Sequence, residues 1–163
     1  MTTTTRGTAK VTLPTDLQIL ITREFNAPKA LVWRAYTEPE LVKRWWGAGM
    51  GEMQSAEIDL RVGGTWRYVQ VIPGGAEVAF HGVYREIEAP DRLVNTEVFE
   101  GLPDPDAHTG LITVTLAETG GRTLLEMRCE YGDQETRDAI IASGMEVGLQ
   151  RSLDSLESVA VEL

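Results

Sequence analysis

Few residues in this chain combine the chemistry to move a proton with a setting that would let them do it. Histidine occurs twice, at 81 and 108, and cysteine once, at 129. His81 lies in "FHGVYREIE", before the turn signal Ala89-Pro90-Asp91, and Glu97 lies in the segment after it. Strands joined by so short a turn pair with each other, so an imidazole and a carboxylate could meet as an acid–base pair or orient a polar ligand group. Register decides the matter, because a slip of one residue moves a side chain to the other face. Glu97 alternates with Phe99, which gives it the stronger claim to an interior face. His108 falls in "GLPDPDAHTG" beside Asp104 and Asp106 and reads as part of a solvated turn.

Other chemistries find little support. Cys129 has no second cysteine to pair with and sits on the apolar face of its segment, where a thiol acts as packing. Ser143 in "ASGME" lacks the G-x-S-x-G pattern of a nucleophile elbow. "GAGMGE" has glycines at 47, 49 and 51, but its sixth position is Glu52 and it follows a helical pattern rather than a strand. It is therefore a poor dinucleotide loop. No catalytic residue, metal ligand or cofactor is assigned. Acidic residues outnumber basic ones by 25 to 15, and Lys43-Arg44 is the only adjacent basic pair. A net charge of -10 repels phosphate backbones, so nucleic acid is not an expected partner. Neither a membrane-spanning run nor the hydrophobic part of a signal peptide is present, which makes a cytoplasmic location the default expectation.

The elements that must position these residues change period along the chain. Residues 1–16 are rich in threonine and read as a flexible or weakly paired extension, with a short strand at "AKVTL". A single domain is expected over 17–163. "LQILITREF" is a first strand. "NAPKALVWRAYTEPELVKRWWG" then predicts two short helices, divided at Thr37-Glu38-Pro39 and stopped at Gly47. Trp45 falls in register with Leu41 and Val42, whereas Trp46 points about 100° away and belongs at a rim. Strands follow near 54–61, 65–72, 77–88, 92–100, 110–118 and 122–131, split by glycine- and proline-containing turns. From Asp133 the apolar positions Ile141, Met145, Leu149, Leu153, Leu156 and Ala160 predict one helix of nearly thirty residues. The class is α+β. A curved antiparallel sheet of about six to seven strands would wrap around that helix in a helix-grip arrangement.

Four segments, "FNAPKALVWRAYTEPELVKRWWG", "VGGTWRY", "FHGVYREIEAPDRLVNTEVFE" and "SGMEVGLQRSLDSL", together resemble the SRPBCC superfamily. Within it they are similar to the branch related to the activator of heat-shock-protein ATPase, the AHSA-type START-like proteins. The resemblance runs from about residue 17 to the C-terminus. It implies a deep apolar cavity between sheet and long helix, lined at the position of Trp66 and Tyr68. The expected function is therefore binding of a small, mostly apolar molecule rather than catalysis. The expected lining is Trp46, Trp66, Tyr68, His81, Tyr84, Glu97, Phe99 and Met127, with Met145, Gly148 and Leu149 from the helix. A cyclase- or hydrolase-like enzyme using the same cavity is one alternative. A chaperone-related, stress-response or homodimeric interaction module is another.

Overall fold

The structure, a computed structural model, describes residues 5–163; the first four residues of the expected extension lie outside the described residues. Among the described residues, eight strands form one antiparallel sheet in the order β1-β2-β8-β7-β6-β5-β4-β3. They are β1 (Lys10–Thr12), β2 (Gln18–Phe25), β3 (Glu52–Ile58), β4 (Thr65–Val71), β5 (Glu77–Glu88), β6 (Arg92–Phe99), β7 (Gly110–Thr119) and β8 (Arg122–Glu130). The helices α1 (Lys29–Thr37) and α2 (Pro39–Trp45) lie between β2 and β3, and α3 (Gln134–Ala142) and α4 (Met145–Val161) close the chain. The helix-grip architecture is thus present, with β1 adding one strand to the expected sheet.

Local chemistry explains the boundaries. Gly120 and Gly121 adopt φ of 59° and 79°, which suits the tight turn joining β7 to β8. Asp133 caps α3 by accepting a hydrogen bond from the Thr136 amide at 2.7 Å. The single long helix expected from the apolar stripe is instead two helices. Gly144, at φ 80°, takes the left-handed conformation that ends α3 before α4 begins. Periodicity missed the break because the stripe of Ile141, Met145 and Leu149 continues in phase across it.

One apolar cluster lies between sheet and helices. It joins Ile19, Ile21 and Phe25 of β2, Ile112 and Val114 of β7 and Leu125 of β8 to Leu153, Leu156, Val159 and Ala160 of α4. The C-terminal half of α4 is therefore filled in beneath. In its N-terminal half, Met145 and Leu149 are only half-buried and Val147 is exposed. Arg23 is buried on the inner face of β2, 3.2 Å from Asp154 and 3.1 Å from Glu157 of α4, with its guanidinium 4.9 Å from the Phe25 ring centre. The same two acids hold the N-terminal segment, accepting hydrogen bonds from the Gly7 amide at 2.9 Å and from the Thr5 hydroxyl. Among the described residues, no helix is long and apolar enough to cross a membrane.

Candidate functional site

The inner face of the sheet carries aromatic rings because alternation in three neighbouring strands sends them the same way. Tyr68 pairs with Phe80 across β4 and β5, and Phe80 pairs with Phe99 across β5 and β6. Ring centres lie 4.7 Å apart for Trp66 and Tyr68 and 5.0 Å apart for Phe80 and Phe99. Trp46 meets this group from the other side, edge-on to Tyr68 at 5.4 Å and to Phe80 at 4.9 Å. It can do so because it leaves the helix. Its backbone is extended, with φ -66° and ψ 128°, so the helical offset from Trp45 no longer applies. Trp45 is buried and donates its indole N–H to the Ala35 carbonyl at 2.7 Å while packing on Tyr36. It ties α2 to α1 within the core cluster.

Glu97 sits on this inner face between two glycines. Gly110 of β7 is its partner in register, and the register of β5 with β6 places Gly82 opposite it on the other side. Each glycine makes room for a ring. The Trp66 indole lies over Gly82 and donates to the Thr96 carbonyl at 3.1 Å; a Cβ on Gly82 would come within 2.5 Å of the indole nitrogen. Tyr131 lies over Gly110, where a Cβ would be 2.8 Å from its Cε1. Such glycines in strand interiors permit close approach. The carboxyl is thus flanked by an indole and a phenol, with glycine rather than side-chain bulk beside it.

Burial acts on the charge of the same group. Burial pushes the Glu97 carboxyl up from 4.5 to about 7, and it has no hydrogen-bond partner among the described residues. Burial also raises Tyr36, Tyr68 and Tyr131 above the usual phenol range, and the Glu97 charge adds to the rise in each. The Cys129 thiol is pushed up to about 12, first by burial and then by Glu97. At that position it is a protonated packing group, not a nucleophile. Deep as they lie, Tyr36 and Glu97 each keep some accessible surface, as do Trp46, Phe80, Phe99 and Met127.

His81 and Glu97 do not meet. His81 pairs with Val98 and Arg67, one residue out of phase with Glu97, so it lies on the outer face of the sheet. There its Nδ1 is 2.8 Å from Glu100, which also accepts two hydrogen bonds from Arg67 at 3.0 Å. The Arg67 hydrogen bonds, and then the His81 one, hold the Glu100 carboxyl at about 2. The acid–base pairing of His81 with Glu97 is therefore excluded by register. The helix residues also divide. Leu149 packs against the central cluster. Gly148 faces Met50 of the Gly47–Gly51 loop, where a Cβ would lie 3.6 Å from the sulfur, and not the rings of Trp66 and Tyr68. Met145 packs against the same central cluster and also lines an exterior recess of about 210 Å³ with Val11, Leu13, Ile141 and Glu146. A second, open groove of about 470 Å³ runs along the outside of α4 by Arg151 and Ser155; neither recess includes Glu97. Tyr84 is buried on the inner face opposite Asn95. Tyr36, Gly82, Gly110 and Tyr131 belong with the interior group although sequence reasoning did not assign them to it. No cluster suited to a metal ion occurs among the described residues.

Residues 26–160 match the family model for the Activator of Hsp90 ATPase homolog 1-like protein. No curated protein matches the chain in sequence. Among solved structures, it is similar to a Rhodobacter sphaeroides protein at 26% identity and TM-score 0.87, covering 95% of this chain and 99% of that one. It is also similar to a Chromobacterium violaceum protein at 28% identity and TM-score 0.77, covering 90% and 98%. An AHSA1-like protein from Aeromonas hydrophila shares the fold, at 22% identity and TM-score 0.66 over 88% and 92% of the two chains.

Proposed function

The chain belongs to the Activator of Hsp90 ATPase homolog 1-like family, and within that family we propose that it binds one small, mostly apolar molecule between the sheet and the N-terminal half of α4. The observation that carries this reading is the residual accessible surface on residues that face inward. Tyr36 and Glu97 are surrounded by protein and still present surface. Surface in such a position supports the reading of an interior space beside them. The half-buried rings of Trp46, Phe80 and Phe99 and the Met127 side chain border the same region.

Interior lining of this composition suits a ligand with an apolar body and one polar handle. Removing roughly 200–300 Å² of apolar ligand surface from water would contribute about 5–8 kcal/mol before the cost of immobilising the ligand. Micromolar or weaker affinity is the corresponding range. Trp46 and the Gly47–Gly51 loop, with Met50 resting on Gly148, form the natural entrance. The test is titration with an uncharged aromatic probe such as 1-naphthol, followed by tryptophan fluorescence. Saturable binding is expected. Met127→Trp, which fills the space, should abolish it while retaining a cooperative thermal transition. No saturable signal at millimolar probe would refute the reading. Mass spectrometry of protein purified gently from its native host would then identify the occupant.

A further inference from the structure

We propose that the molecule bound in this interior carries a protonated nitrogen, held by the Glu97 carboxylate between the Trp66 and Tyr131 rings. The inference rests on the ligand-binding reading and adds the chemical class of the polar handle. Three features of the geometry support it. The carboxyl has no hydrogen-bond partner among the described residues, so its acceptor capacity is left for a guest. Its two strand neighbours are Gly110 and Gly82, so no side chain stands directly across from it on either neighbouring strand. Aromatic rings lie over both of those glycines, and Trp66 spends its only side-chain N–H on the Thr96 carbonyl. A cation is the guest that gains from both a carboxylate and aromatic faces.

The surrounding titratable groups agree. Tyr36 on α1, Tyr68 on β4, Tyr84 on β5, Cys129 on β8 and Tyr131 after it are all held protonated, and none supplies positive charge. Arg23, the buried cation on the inner face of β2, is already paired with Asp154 and Glu157. Arg67 and His81 are on the outer face with Glu100. Among the described residues nothing neutralises Glu97, which explains why burial leaves its carboxyl near 7. An ammonium would do so, whereas an anionic ligand would meet an uncompensated negative charge.

The test compares 2-naphthylmethylamine, 2-naphthylmethanol and 2-naphthoate, which share one apolar body, at moderate salt to screen the overall negative charge. At about pH 8 the amine should bind roughly tenfold or more tightly than the alcohol, and the carboxylate least. In Glu97→Gln the ratio of amine to alcohol affinity should fall to near parity, whatever the change in alcohol affinity itself. Lowering the pH of the wild type to about 5.5, which protonates Glu97, should shrink the advantage too, so the point is tested without relying on a variant. Equal binding of amine and alcohol by the wild type would overturn the proposal, as would an advantage that survives Glu97→Gln. Alcohol binding without amine preference would defeat this inference alone. Failure of every probe would defeat the ligand-binding reading and this one with it.

Discussion

Glu97 makes the fold weaker as pH rises, and the size of the effect follows from its surroundings. In the unfolded chain its carboxyl titrates near 4.5, and in the folded protein burial moves it to about 7. Between those values the folded state holds the proton more tightly, so raising the pH favours unfolding. The difference of about 2.5 pH units corresponds to about 3 kcal/mol lost once the pH is well above 7. At about pH 5 less than about 1 kcal/mol of that loss has occurred. Glu97→Gln removes the titration while keeping the shape. Urea unfolding of ligand-free wild type and variant at about pH 5 and pH 8 should show the stability difference moving by about 2–3 kcal/mol in favour of the variant at the higher pH. In thermal terms the shift is roughly 5–10 °C for a chain of this size. Glu100, lowered from 4.5 to about 2, loses its contribution only as the pH falls below about 5, and leaves this window clear. A stability difference between the two proteins that is the same at both pH values would show that Glu97 is well solvated, and the interior placement of its charge would be wrong.

Trp45→Ala should cost about 3–5 kcal/mol by removing a buried ring and orphaning the Ala35 carbonyl, whereas Trp46→Ala should cost less than half as much and change probe binding; chemical denaturation beside fluorescence titration separates the two. Gly148→Ala should stabilise by about 0.5–1 kcal/mol, since the new methyl makes ordinary contact with Met50 in a helix interior, while Gly82→Ala should prevent native packing because its Cβ would fall 1.8 Å from the Thr96 carbonyl oxygen. Thermal melts of the pair check both signs. Arg23→Ala should destabilise by about 3–5 kcal/mol, leaving Asp154 and Glu157 without their buried cation, and limited proteolysis should then cut the N-terminal segment that these acids hold.

What sequence alone conveyed about this molecule divides along the two periods it can carry. The order of strands and helices was readable because alternation and the 3.6-residue repeat are local properties. The break at Gly144 escaped because a left-handed glycine can pass an apolar stripe across in phase. The site was harder, since which residues face the interior depends on register between strands, which no local pattern records. Glu97 came through because it alternates with Phe99. His81 did not, because the register that faces Phe80 with Phe99 puts His81 outside, where Arg67 and Glu100 hold it. Trp46 kept its place beside the interior rings by leaving the helix whose geometry was used to orient it. A usable signal remained in the sequence: Gly82 and Gly110 each interrupt a segment rich in β-formers, where glycine weakens a strand unless something must come close. What comes close is a ring in each case, Trp66 over one and Tyr131 over the other. An acid on the strand between two such glycines has no side chain directly opposite it on either strand and, among the described residues, no hydrogen-bond partner. That arrangement costs the empty protein stability at neutral pH, and a bound cation is what would recover it.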